Sequence, residues 1–137
     1  MGQPAAKLGD SIVNAGDLHI VLVPSPGGPV PTPQPFPFNG KISINLSQNV
    51  RINGRPAAVV GSVAQNMPPH IPQGGAFLVP PTNLGRVIAG SATVRINGRA
   101  AARAGDFCET CHDLPPAGPQ APPPVVQVLG LANVLIG

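Results

Sequence analysis

One phrase in this chain is written twice, and it limits the possible folds more than any other feature. Val50-Arg51-Ile52-Asn53-Gly54-Arg55-Pro56-Ala57-Ala58 returns 44 residues later as Val94-Arg95-Ile96-Asn97-Gly98-Arg99-Ala100-Ala101-Ala102. Fragments of the phrase also stand at both ends. Pro4-Ala5-Ala6-Lys7-Leu8-Gly9-Asp10 is its tail with the residues that follow, and Ala132-Asn133-Val134-Leu135-Ile136-Gly137 is its head. Joined end to start, the two termini rebuild a third copy. Internal repeats set architecture before local propensity does. The expectation is a single domain over residues 1–137 made of three like units, with both termini at one seam.

Each copy reads as a β-hairpin. Val50 and Ile52 alternate with Arg51 and Asn53, as Val94 and Ile96 do with Arg95 and Asn97, the period-two pattern of a half-buried strand. Asn53-Gly54 and Asn97-Gly98 supply tight turns that tolerate left-handed backbone. The Ala-rich segments after them read as return strands, whose small side chains let neighbouring backbones approach closely. In the closing copy Leu135 replaces arginine, so Val134-Leu135-Ile136 is apolar on both faces and is expected to be sandwiched.

With 20 prolines and 17 glycines in 137 residues, no helical period survives uninterrupted. The prediction is therefore all-β with long proline-rich loops. Residues 24–38 are expected to be extended and partly polyproline-like, residues 65–83 form a second irregular stretch, and residues 113–124 a third. The chain has no Trp or Tyr and only four Phe, which opposes a stacking platform for single-stranded nucleic acid. A formal charge of +3 is too weak and scattered for duplex binding. No signal peptide or 18-residue apolar span is recognisable, so synthesis is expected to be cytoplasmic. No nucleophile–base pair or paired carboxylates occur, which points away from an enzyme. Asp10, Asp17, Asp106, Glu109 and Asp113 read as turn or structural groups.

The three histidines fall in a pattern, each expected just after a return strand or in the loop that follows it. His19 lies nine residues past Asp10 and His70 eight past Ser62, at corresponding places after a Gly-Asp or Gly-Ser pair. His112 follows Gly105-Asp106 together with Cys108 and Cys111. Repeat symmetry would gather these at one end of the body. Nitrogen and sulfur ligands arriving from three arms suit a closed tetrahedral zinc site, whose binding energy becomes folding energy. Four of His19, His70, Cys108, Cys111 and His112 are the candidate ligands. Cys108-Glu109-Thr110-Cys111-His112 also matches c-type haem attachment and contains a C-x-x-C redox spacing, so a small metal- or haem-dependent redox protein is the alternative.

The chain resembles the PAAR-repeat family, whose name-giving tetrapeptide is echoed in Pro4-Ala5-Ala6-Lys7, Pro56-Ala57-Ala58-Val59 and Ala100-Ala101-Ala102-Arg103. The Val-x-Ile-Asn-Gly strands and the following Gly-Asp pairs are further marks, and the resemblance spans essentially the whole chain. The proline-rich stretches at 24–33 and 68–75 are similar to the variant found in phage-tail-like extracellular injection particles. The resemblance implies a short, β-prism-like cone of three hairpin repeats with proline-rich loops at the tip. It implies a zinc near the vertex, held in that family by three histidines and one cysteine. The base of such a cone sits on the trimeric β-helical spike of a contractile injection machine, related to type VI secretion and phage tails. Further implications are effector docking, transient contact with a target membrane, and deployment outside the cell without a signal peptide. Two positions depart from the family: Phe36 stands where relatives often carry histidine, and Ser62 stands where the other copies have Asp10 and Asp106.

Overall fold

The computed structural model describes residues 2–113, 123–130 and 133–137, and residues 114–122 of the third irregular stretch and Ala132 of the closing phrase lie outside them. Among the described residues there are thirteen strands and no helix. They are β1 (Gln3–Pro4), β2 (Ser11–Val23), β3 (Val30–Ile44), β4 (Arg51–Ile52), β5 (Arg55–Pro56), β6 (Val63–Asn66) and β7 (Ala76–Phe77). After these come β8 (Leu84–Val87), β9 (Arg95–Ile96), β10 (Arg99–Ala100), β11 (Cys108–Glu109), β12 (Val125–Gln127) and β13 (Leu135–Ile136).

The repeated phrase folds as its pattern requires. β4 pairs with β5, and β9 with β10, across Asn53-Gly54 and Asn97-Gly98. Both turn residues have positive φ, near 54° for each asparagine and 80° for each glycine. The third ladder is assembled from the two ends of the chain: Gln3 opposes Ile136 and Pro4 opposes Leu135 in β1 and β13.

The three return segments then join in a ring. The Ala6 N–H donates to the Ala102 carbonyl, the Ala102 N–H to Ala58, and the Ala58 N–H to Ala6, at 3.0 to 3.1 Å. A second cycle runs from the Leu8, Val60 and Ala104 amides to the carbonyls of Pro56, Ala100 and Pro4. Alternation gives this ring two buried faces. Ala6, Ala58 and Ala102 face one apolar cluster, and Ala5, Ala57 and Ala101 the other, with Ile52, Ile96 and Ile136. Only a methyl group fits both sides, which is why the alanines stand in pairs.

On the Ala6 side of the ring rises a seven-stranded antiparallel sheet in the order β11-β8-β6-β3-β2-β12, with β7 also on β2. It curls until its two edges are tied by a bridge between Phe107 and Val125. Ile12, Phe38, Ile42, Ala64, Val87, Cys108 and Val126 fill the interior. The Phe38 ring lies so near Gly40 and Gly85 that a Cβ would come within 2.8 Å and 3.0 Å of it.

Three expectations are corrected here. Much of the 24–38 stretch is strand: Val30–Ile44 pairs with β2 from Val23↔Val30 down to Ser11↔Lys41. Proline is compatible with such pairing when its missing N–H would point away from the partner. Leu135 is 61 % exposed, so the closing strand is not sandwiched; it pairs only with β1 and buries Ile136 alone. His19 stands within a long strand rather than in a loop after one.

Candidate metal centre

A single inserted residue decides what β2 points inward. Ile12 and Asn14 face the interior, and the register then slips between Asn14 and Asp17, three residues on β2 spanning two on β3. A bulge of this kind exchanges the faces of everything beyond it. Asp17, His19 and Val21 thereby turn inward and are fully buried, while Leu18 and Ile20 turn partly outward. The segment after β6 brings His70 alongside, and the segment after β11 brings Cys111.

These four side chains converge. One ligand atom each from Asp17, His19, His70 and Cys111 lies within 4.8 Å of all the others. Cys111 Sγ is 3.6 Å from His19 Nε2 and 3.5 Å from Asp17 Oδ2, and His70 Nε2 is 3.3 Å from the same carboxylate oxygen. Metal–ligand bonds of 2.0–2.3 Å in a tetrahedron put neighbouring ligand atoms about 3.3–3.8 Å apart. These three separations fall there and the remaining pairs lie within 4.8 Å, so the group could hold a small divalent ion.

Outer partners orient the ligands. Asp113 Oδ1 accepts from His19 Nδ1 at 3.2 Å, which leaves the Nε2 lone pair facing the cluster. Asp113 Oδ2 also takes the Ile20 N–H at 3.0 Å, so one carboxylate holds both ring and strand. Asn66 Nδ2 lies 3.3 Å from His70 Nδ1. Asp17 Oδ1 accepts from Asn14 Nδ2 at 2.7 Å and from the Thr110 hydroxyl. Phe36 and Phe77 wall the site, with ring centroids 5.8 Å and 5.7 Å from His19. Phe36 thus packs against both imidazoles, its centroid 5.3 Å from that of His70.

The electrostatics ask for a cation. Asp17 is fully buried, and its ion-pair neighbours among the described residues are His70 and, at 4.0 Å, His112. No lysine or arginine pairs with it there, although buried charge is costly unless matched. Burial lowers the pKa of His70 against the opposing pull of Asp17, which favours the neutral imidazole that binds metals. Burial, then the nearby Asp17 charge, pushes the Cys111 thiol up to about 12. Without a cation the thiol stays protonated, and a bound ion would displace that proton.

Of the five candidates, His19, His70 and Cys111 come together here and Cys108 does not. Its side chain belongs to the apolar core, with Sγ 3.6 Å from the Asp106 carbonyl and its pKa pushed up by burial to about 12. Strand alternation sends Cys108 inward through β11, three residues before the chain reaches the cluster. Both cysteines are free, and the Cys108-x-x-Cys111 spacing does not converge its thiols on one site. His112 stands at the margin: its Nδ1 is buried without a hydrogen-bond partner among the described residues and lies 4.0 Å from Asp17 Oδ1.

Asp17, read from the sequence as a turn or structural group, is the residue that reading missed. The available signal was Asp17-x-His19, two ligand types one strand period apart, after the Ala15-Gly16 break in alternation. No family model matches the chain, and no curated protein matches it.

Proposed function

We propose that this chain is a zinc-pinned tip of the PAAR-repeat kind, capping the trimeric β-helical spike of a contractile injection machine. The observation that carries the reading is the cyclic exchange of hydrogen bonds among Ala6, Ala58 and Ala102, which gives one chain an approximately threefold end. A trimeric spike ends in three equivalent sets of strand edges. Three like ladders around one axis can meet them, and covering such edges is favourable. In this reading the curled sheet, with the upper part of the β2–β3 hairpin, forms the body between that end and the tip. His19 lies eight residues along β2 from Ser11, roughly 25 Å away at the usual strand rise.

The metal is zinc in this reading, held by Asp17, His19, His70 and Cys111, with Asp17 in place of the family's third histidine. Zinc requires no redox change and accepts this mixture of nitrogen, sulfur and oxygen. Its work is mechanical. Asp113 sets the His19 ring, the phenylalanines exclude water, and the ion ties β2, the segment after β6 and the segment after β11 into one rigid unit. The protein acts without catalysis, is carried outside the cell on the particle, and meets the target membrane in passing. Effector or cargo proteins would ride on the same particle.

The reading is tested in two arms. Elemental analysis should find about one zinc per chain, and mixing with a trimeric β-helical spike should give one chain per trimer by light scattering. Absence of metal sinks the zinc pin. Failure to form the one-to-three complex sinks the capping role.

A further inference from the structure

The β2–β3 hairpin has two long outer edges, and the chain treats them in opposite ways. On β2 the outward-pointing groups are those of Leu18, Ile20 and Leu22, and they are covered. The Leu78 N–H donates to the Ile20 carbonyl at 2.9 Å, the Asp113 N–H to the Leu18 carbonyl at 2.8 Å, and the Ile20 N–H to Asp113 Oδ2 at 3.0 Å. These bonds settle the phase of the ladder. Residues whose groups point away from the partner strand sit opposite one another in an antiparallel pair. The partners of Leu22, Ile20 and Leu18 on β3 are Pro31, Pro33 and Pro35.

Every outward donor position on the upper half of β3 is therefore a proline, and Pro37 continues the same phase. The series stops where a neighbour begins. The next two outward positions are Asn39, whose N–H donates to Asn66 Oδ1 at 3.0 Å, and Lys41, which pairs with Gln65 of β6. β6 reaches no farther up β3 than Gly40. The inward positions of the same stretch, Val30, Thr32, Gln34 and Phe36, all keep the N–H that the β2 ladder uses. Prolines at 31, 33, 35 and 37 are all exposed.

We propose that Pro31, Pro33, Pro35 and Pro37 form a donor-free edge that closes the outer side of β3 to strand addition by a second copy of this chain. A free edge of this length, with both N–H and C=O groups on offer, is a template for edge-to-edge pairing. An edge with carbonyls alone cannot complete an antiparallel ladder, because each pair must exchange bonds in both directions. The proline spacing thus acts against self-association along the outer edge of β3, opposite the edge of β2 that β7 and Asp113 cover.

The test is the variant Pro31→Thr/Pro33→Thr/Pro35→Thr, which restores three outward amides while keeping β propensity. Analytical ultracentrifugation over a range of concentrations should show a monomeric wild type and a variant whose weight-average mass at least doubles as concentration rises. Hydrogen exchange should find the new amides at 31, 33 and 35 open at low concentration and protected at high concentration. Two results overturn the proposal. Either the variant stays monomeric at every concentration, or the new amides are already protected in the monomer and so face β2. Should the triple variant fail to fold, Pro33→Thr/Pro35→Thr is read in the same way.

Discussion

At Asp17 a carboxylate is fully buried with no lysine or arginine partner among the described residues, and this yields a prediction of unusual sign. Asp17→Asn keeps the side-chain shape and the Thr110 contact while deleting the charge. Zinc affinity should fall by at least about a hundredfold, above the 10–100-fold typical of outer-partner changes. In excess chelator, however, the variant should melt above the wild type, since no unmatched charge is left inside. Calorimetry with and without chelator checks both directions; a variant that melts lower in each would show that Asp17 is structural only. Cys108 gives a pH prediction. Its thiol, ordinarily ionising near 9, is pushed up to about 12, first by burial and then by Asp106. Below pH 9 folded and unfolded chains both hold the proton, and Cys108 contributes no pH dependence. From about 9 to 12 only the unfolded chain ionises, so stability should fall by about 1.4 kcal/mol per pH unit from this group. Cys108→Ala should remove that slope in paired urea titrations. Residue types alone singled out His19, His70 and Cys111 because histidine and cysteine are scarce here and stand at repeat-related places. Asp17 stayed hidden because its direction depends on one bulge, and Cys108 was inseparable from Cys111 until strand phase was known.

Among the elements, the turn after each return strand explains why one repeat carries serine where the others carry aspartate. Asp10 accepts from the Lys7 amide and from Lys7 Nζ, both at 3.0 Å, and Asp106 likewise accepts from the amide and guanidinium of Arg103. In the remaining copy the residue three before is Val59, with no charge to offer, and Ser62 Oγ accepts the Val59 N–H at 3.0 Å. Aspartate thus stands where a cation stands and hydroxyl where none does. Ser62→Asp should bury an unpaired carboxylate and cost several kcal/mol, about 3 or more, whereas Ser62→Thr should cost far less. Equal urea midpoints for the two variants would contradict this. The hairpin turns were legible from Asn-Gly, because few other dipeptides accept two positive φ values in succession. Strand β3 was not, since alternate prolines read locally as polyproline, and only the partner strand reveals that their nitrogens all face one way.

At the scale of the molecule, a ring closed by backbone hydrogen bonds and a point closed by side chains should fail separately. Chelation should speed amide exchange in the upper halves of β2 and β3 and around His70. The amides of Ala6, Ala58 and Ala102, buried between two apolar clusters, should stay protected. Exchange mass spectrometry before and after chelation checks this; uniform loss of protection would mean that the metal supports the whole fold. Three units and their seam could be read from the repeated phrase, because self-similarity survives translation into structure. The curled sheet could not, since it is made from the segments between repeats, which differ in length and share no pattern. The seam itself has a further consequence. Because Gln3 and Pro4 lie against Ile136 and Leu135, the unit that comes first along the chain can change without changing the cyclic order of units around the axis. A circular permutant, with the present ends linked and new ones cut between Asn53 and Gly54 or between Asn97 and Gly98, should close the same ring.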